Sequence, residues 1–258
     1  MSKPLAGRIA LVTGGSRGVG RGIALRLAAD GAAVAVNYRR DTEAAKQTVA
    51  DIEAAGGVAV PYSASIDDPD AVAAMVDSVR ADLGPVDLLV SNAGTASRGK
   101  PIAHTDQDEY LRLFRVHALG PLDLVHRLLP ELREAGRADV VIVSSVLSTH
   151  FPANCAPYTM AKVAIEAAAR TLAKEEREHG IRVHIVAPGL VATDMGERLV
   201  AAGGRTLAEV ESDFPFGRVA RPADVAGVIS FLASADAEYL TGQRIEIDGG
   251  GPNGGVTG

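Results

Sequence analysis

Tyr158 and Lys162 stand four residues apart in the stretch SSVLSTHFPANCAPYTMAK, 144–162. That spacing places two side chains on one face of a helix, a turn apart. A phenol ionises near pH ~10 in water and is a weak acid–base catalyst at neutrality. A nearby ammonium favours the phenolate and lowers that value. Ser145 follows the apolar run VVIV, so it falls at the C-terminal end of a buried strand, where its hydroxyl can hold a polarised carbonyl. The three residues together make a proton donor, a cation that tunes it and an orienting hydroxyl. Tyr-x-x-x-Lys alone is usually a helix surface pair. The serine upstream and a glycine-rich turn near the start of the chain favour chemistry.

That turn is TGGSRGVG, 13–20, with spacing Gly14-x-x-x-Gly18-x-Gly20. Glycines after a first strand let backbone N–H groups approach a pyrophosphate at the positive end of the following helix. After the second strand an NAD site places an acid against the ribose 2′-hydroxyl. Here the chain reads Asn37-Tyr38-Arg39-Arg40, with no acid until Asp41. Arg39, together with Arg17 in the glycine turn, suits a 2′-phosphate through charge-assisted hydrogen bonds. The expected cofactor is therefore NADP(H), against the plainer reading that Arg39 and Arg40 only solvate a helix start.

The elements that must position these groups are legible as an alternation of strands and helices. Strand signals fall at 9–13, 33–37, 58–62, 86–91, 140–145, 183–188 and 244–248. Helical patterns lie between them at about 18–30, 42–55, 70–83, 106–134 and through Tyr158 and Lys162. The strand runs are continuously apolar, which marks strands covered on both faces. The fold expected is α/β, a doubly wound Rossmann-type parallel sheet of seven strands with helices on both faces. No linker, repeat or charge block divides residues 1–258, so one domain is expected, with 249–258 as a flexible Gly-rich tail.

Composition bounds the function. The chain of 258 residues carries a net charge of −6 with scattered cations, which argues against nucleic-acid or anionic-membrane partners. An apolar content of 47% can build a sizeable core. The opening MSKPLAGR has no apolar signal region, and no apolar run approaches the ~20 residues of a membrane span. One cysteine, Cys155, excludes an internal disulfide and suits a cytoplasmic location. With one cysteine and no His-Glu-x-x-His, a metal site is not expected.

The chain resembles the short-chain dehydrogenase/reductases, in particular the 3-oxoacyl-[acyl carrier protein] reductase-like members. The matching motifs are TGGSRGVG, NAG at 92–94, Ser145 with YTMAK, PGLVATDM at 188–195, and FGRVARPADVAGVISFLAS with YLTGQRIEIDGG. The resemblance implies hydride transfer between a nicotinamide and a carbonyl or alcohol, with Tyr158 as general acid in reduction. Lys162 would bind the nicotinamide ribose and lower the Tyr158 pKa, and Ser145 would hold the substrate oxygen. Gly14, Ser16, Arg17, Gly18, Val19, Asn37, Tyr38, Arg39, Ser65 and Ile66 would meet the adenosine half of the cofactor, and Asn92, Ala93 and Gly94 would pass beneath it. Pro188, Gly189, Val191 and Thr193 would surround the nicotinamide.

Three positions depart from the family pattern. Ser65 stands where an Asp often faces the adenine, and Ser148 replaces a Gly three residues after Ser145. His117, in VHALG, occupies the place of the Asn that completes the family's catalytic set. As an imidazole it can donate and accept hydrogen bonds in a proton relay, with its own protonation opposed by Lys162; the plain alternative is a neutral helix histidine. The expected function is NADPH-dependent reduction of a small or acyl-carrier-bound ketone. The alternatives are an alcohol, sugar or steroid dehydrogenase and, in another class, a non-catalytic dinucleotide-binding regulator, which His117 alone favours. Family likeness and the small residues Ala161, Ala164, Ala167 and Ala168 imply a homo-oligomer, a tetramer.

Overall fold

A computed structural model describes residues 3–251. Seven strands, β1 Ile9–Val12, β2 Ala33–Tyr38, β3 Val58–Ser63, β4 Leu88–Ser91, β5 Ala138–Val143, β6 Ile181–Pro188 and β7 Arg244–Ile247, form one sheet. They pair in parallel in the order β3-β2-β1-β4-β5-β6-β7. Parallel neighbours need crossover connections, and helices supply them: α1 Gly18–Ala29, α2 Thr42–Ala54, α3 Pro69–Asp82, α4 Gln107–Phe114, α5 Gly120–Glu134, the short α6 Leu147–His150, and α7 Ala156–Glu175. Beyond β6 come α8 Asp194–Ala202, α9 Leu207–Glu211 and α10 Pro222–Ala233.

The apolar runs are explained by two cores. Successive strand residues point to opposite faces. Leu11, Leu89, Val140, Ile142, Val183 and Ile185 join a core under α3, α5 and α7. Their neighbours Val12, Val90, Val141, Val143 and Val186 join the other, under α1, α2 and α10. The order reverses between β1 and β4, because the chain leaves β3 at one end and re-enters beside β1. Their carboxyl ends therefore form the crevice that such sheets offer a ligand. β5 stops at Val143, which leaves Ser144 and Ser145 beyond the strand rather than within it.

The single helix expected over 106–134 is instead α4 and α5 joined by a π turn, Arg115–Leu119, that contains His117. Pro121 has no N–H for the carbonyl of residue 117, and the Gly120 N–H reaches back five residues to Arg115. Such bulges widen a helix locally and present one side chain off the regular register. The expected tail begins at the end of the described residues. Gly249, Gly250 and Gly251 form a turn of positive φ in which the Gly250 N–H donates to Asp248 Oδ1 at 2.9 Å; residues 252–258 lie outside those described.

One buried group makes the fold sensitive to acid. His184, in β6, is 0% exposed and neither ring nitrogen has a hydrogen-bond partner. Burial, and secondly Arg182, push its pKa from 6.5 down to about 4. The unfolded chain binds a proton that the folded one refuses, so this stability is complete above pH 6.5 and is lost as pH falls towards 4. His184→Leu is expected to stabilise the protein more at pH 5 than at pH 8, measured by urea unfolding. An equal effect at both pH values would contradict this reading.

Candidate active site

The glycine turn after β1 is built by close approach. Gly14 has φ +63°, and a Cβ there would lie 3.1 Å from the Ala93 Cα. A Cβ at Gly20 would sit 2.1 Å from the Gly14 carbonyl oxygen. Thr13, fully buried, clasps the turn to β4: its hydroxyl accepts from the N–H groups of Asn92 and Ala93, both at 2.9 Å. The Asn92 amide returns a bond to the Thr13 carbonyl at 2.9 Å. Gly18, φ +55°, faces Thr193, whose methyl would be 3.4 Å from an added Cβ. The turn thus meets both the 92–94 segment and the loop after β6. Ser16 is buried, Val19 is half-buried and Arg17 is exposed. This is a cradle that side chains would fill, set at the positive end of α1, and it fits a dinucleotide pyrophosphate.

At the end of β2, Asn37 is 2% exposed. Its oxygen accepts from the Gly14 N–H at 3.2 Å, and its amide donates to the Ala64 and Tyr62 carbonyls at 3.0 and 3.4 Å. Asn37 therefore ties three strand ends together. Tyr38 is half-buried, Arg39 and Arg40 are exposed, and among the described residues Arg17, Arg39 and Arg40 form no ion pair. Asp41 caps α2, accepting from the Ala44 N–H at 3.1 Å. The Ser65 hydroxyl donates to Asp67. The Ile66 carbonyl presses on α5, where a Cβ at Gly120 would come within 2.1 Å of it.

Ser145, Tyr158 and Lys162 converge beyond β5. α7 begins just before Tyr158, with Pro157 in its first turn, where a missing N–H costs nothing. Lys162 is 5% exposed; its Nζ donates to the Val143 carbonyl at 2.8 Å and stands 5.7 Å from the centre of the Tyr158 ring. Burial lowers the Lys162 pKa to about 8, opposed by the charge of Glu166. Burial also pushes the Tyr158 phenol up to about 12, with its hydrogen bond to Ser145 acting the other way. The lowering expected from Lys162 is not what governs the phenol in this structure, because removal from water disfavours the phenolate more.

His117 joins them from the π turn. Its ring meets that of Tyr158 edge-on, centroids 5.1 Å apart. Nε2 lies 2.8 Å from the Thr95 carbonyl oxygen and 3.2 Å from the Thr95 N, so it donates to the first or accepts from the second according to tautomer, and Nδ1 is buried without a protein partner. Its pKa falls to about 3, through burial first and the Lys162 charge second. The repulsion expected from Lys162 is present but is the smaller cause, and the imidazole is neutral throughout the working range.

The loop after β6 closes the far side. The Pro188 carbonyl accepts from the Val146 N–H at 3.1 Å. Gly189 packs against Asp248, 2.8 Å from where its Cβ would be. Val191 bridges to Ala220, and Thr193 caps α8 by accepting from the Gly196 N–H at 3.2 Å. Cys155 is half-buried and its thiol is pushed up by burial, which leaves no nucleophile there. Sequence reasoning did not assign roles to Thr13, Thr95, Glu166 or Arg244. Only Glu166 carried a signal, as a charge on the buried face of α7 one turn from Lys162.

A family model described as enoyl-(acyl carrier protein) reductase matches residues 14–251. With the fold and site above, the chain belongs to the short-chain dehydrogenase/reductase family and is an oxidoreductase. It is 38% identical to the versicolorin reductase of Emericella nidulans, covering 95% of this chain and 96% of that protein. It is 33% identical to a Staphylococcus aureus 3-oxoacyl-[acyl-carrier-protein] reductase, covering 93% and 96%. A solved 7α-hydroxysteroid dehydrogenase in complex with NADH and 7-oxo glycochenodeoxycholic acid superposes with a TM-score of 0.89, at 28% identity, over 98% and 97% of the two chains.

Gly94 tests the packing of His117. An added Cβ would lie 2.8 Å from the His117 Cε1, and the ring already meets the Tyr158 ring and the Thr95 backbone. Gly94→Ala is expected to destabilise the protein by about 1–3 kcal/mol through overpacking. Combining it with His117→Asn should return most of that loss in denaturant unfolding. Strictly additive effects would show that the two residues do not press on each other.

Proposed function

We propose that this protein reduces a ketone to a secondary alcohol with NADPH, Tyr158 acting as the general acid. The observation that carries the reading is the meeting of Ser145, Tyr158, Lys162 and the cradle after β1 at the carboxyl edge of one sheet. When bound, the dinucleotide supplies hydride from its nicotinamide. Ser145 donates a hydrogen bond to the ketone oxygen, which raises the positive character of the carbonyl carbon. Tyr158 delivers its proton to the same oxygen as charge develops there. Burial favours the protonated Tyr158 phenol, the state from which it can donate. Lys162 would hold the nicotinamide ribose. His117 replaces the family's Asn as a neutral hydrogen-bonding group beside the pair.

Gly14, Ser16, Gly18 and Val19 would hold the pyrophosphate, and Arg17 and Arg39 the 2′-phosphate. Asp41 is already spent as a helix cap, so no free acid stands ready for a 2′-hydroxyl, and this supports NADPH over NADH. Asn92, Ala93, Gly94, Ser65 and Ile66 would lie along the adenosine, with Asn37 and Tyr38 shaping that end from behind. Pro188, Gly189, Val191 and Thr193 would face the nicotinamide. The exposed side chains of Phe151, Met195, Leu199 and Phe216, in the segments after β5 and β6, favour a substrate with an apolar body, small or carried on an acyl carrier. We place this single catalytic unit in the cytoplasm; among the described residues no helix is long and apolar enough to cross a membrane.

The test is turnover of NADPH and NADH against a panel of ketones by wild type, Tyr158→Phe and Arg39→Ala. Loss of general acid catalysis is worth ~10²–10⁴ in rate, so Tyr158→Phe should bind cofactor normally and lose turnover by that factor. Arg39→Ala should weaken NADPH roughly tenfold or more and leave NADH unchanged. Near-normal turnover in the first variant, or equal use of both cofactors by wild type, sinks the corresponding half of the reading.

A homotetramer is proposed as the working form. Ala161 is fully buried in its own subunit, and Ala164 and Ala168 pack partly on the same core, so of the four alanines only Ala167 is exposed for a seam. The exposed apolar residues are instead Met160 and Val163 on α7, with Leu111 on the adjoining α4 and Leu119 in the π turn. Burial of such a face stabilises association at roughly 25 cal/mol per Å². Light scattering at micromolar concentration should find four subunits, reduced to smaller species by Val163→Glu; a monomeric wild type contradicts the proposal.

A further inference from the structure

Glu166 lies on α7 one turn beyond Lys162, is 3% exposed, and is surrounded by donors. Its Oε1 accepts from the Ser144 and Ser148 hydroxyls, both at 2.6 Å. Its Oε2 accepts from Arg244 Nε at 3.0 Å, and Arg170 approaches at 3.7 Å. Arg244, from β7, reaches past it and donates to the Ser148 hydroxyl at 3.0 Å and the Ser145 carbonyl at 3.3 Å. Ser148 Oγ also lies 2.8 Å from that carbonyl. Its one proton favours the charged oxygen of Glu166. The segment 144–148 is thereby gripped on both sides of Ser145. The serine that departs from the family's usual glycine is one of the anchors.

We propose that Glu166 is a positioning residue of this reaction: through Ser144, Ser148 and Arg244 it fixes the segment that carries Ser145, and its carboxylate keeps the buried Lys162 ammonium charged. The inference rests on the function proposed above. The donor set requires a carboxylate, since every neighbour donates. A Gln of the same shape would turn an N–H either on Arg244 or on the two serines. The other groups set against Lys162 carry no charge. From β5 it receives only the Val143 carbonyl, from the π turn a neutral His117, and on its own helix the Tyr158 ring. Among the described residues Glu166 is the one carboxylate whose charge acts on it. Around Glu166 itself stand Lys162 and Arg170 on α7, and from β7 Arg244, which also pairs with Glu246.

The experiment compares wild type, Glu166→Gln and Ser148→Gly in two measurements. The first is the NMR titration of Lys162 in protein labelled with ¹³C at lysine Cε, assigned by Lys162→Met among the five lysines of the chain. The second is kcat and KM for ketone reduction, with thermal melting to verify folding. Lys162 should titrate at about 8 in wild type and at lower pH in Glu166→Gln, whereas Ser148→Gly should leave that midpoint unmoved. Turnover should fall roughly tenfold or more in Glu166→Gln and less in Ser148→Gly, chiefly in kcat. An unchanged Lys162 midpoint, or full kcat in folded Glu166→Gln, overturns the proposal. A wild type that reduces no ketone overturns the functional reading instead, and the titration still decides the coupling between Glu166 and Lys162.

Discussion

The buried ammonium of Lys162 is the constraint around which the site is arranged. A cation removed from water must be compensated by nearby acceptors or opposite charge, or it gives up its proton. Here one carbonyl, at the end of β5, and one carboxylate, a turn further along α7, share that task. Other features follow. His117 beside it is neutral, because burial, and secondly the Lys162 charge, disfavour its protonation. Glu166 in turn accepts hydrogen bonds from two hydroxyls and a guanidinium. Arg244 links that carboxylate to the last strand of the sheet, so the geometry of the site extends to the edge of the fold.

The sheet supplies the rest by bringing carboxyl ends together. β1, β4, β5 and β6 are neighbours in space though far apart in the chain. The segments that follow them touch where only small residues fit: Gly14 against Ala93, Gly18 against Thr193, Gly94 against His117 and Gly189 against Asp248. Close approach of this kind explains why the turn after β1 needs three glycines for two different reasons. Gly14 and Gly18 take positive φ, whereas Gly20 makes room for a carbonyl oxygen. Asn37, which the family pattern places beside the cofactor, serves the same end by pinning β1, β2 and β3 to one another.

Much of this was legible in the amino-acid sequence. The five inner strands were readable because they are covered on both faces and must be apolar at consecutive positions, whereas the edge strands β3 and β7 are partly exposed and carry weaker runs. The turn after β1 and the Tyr-x-x-x-Lys pair were readable because they are local, set by spacings of a few residues. The missing acid after β2 was also local, and the structure adds that Asp41, the first one available, caps a helix.

What the sequence could not determine was how groups far apart along the chain alter one another. The π turn arises where Pro121 withholds a donor and Gly120 lies against Ile66, so residues 115–119 look helical until that contact is known. The charge states of Tyr158, Lys162 and His117 depend on how completely folding excludes water from them, which no spacing encodes. Glu166 and Arg244, 78 residues apart, become partners only when β7 is laid beside β6. The sequence by itself determined the strands, the turn and the spacing of the Tyr158–Lys162 pair; tertiary structure decided their surroundings and their supports, because desolvation and long-range pairing exist only in the folded chain.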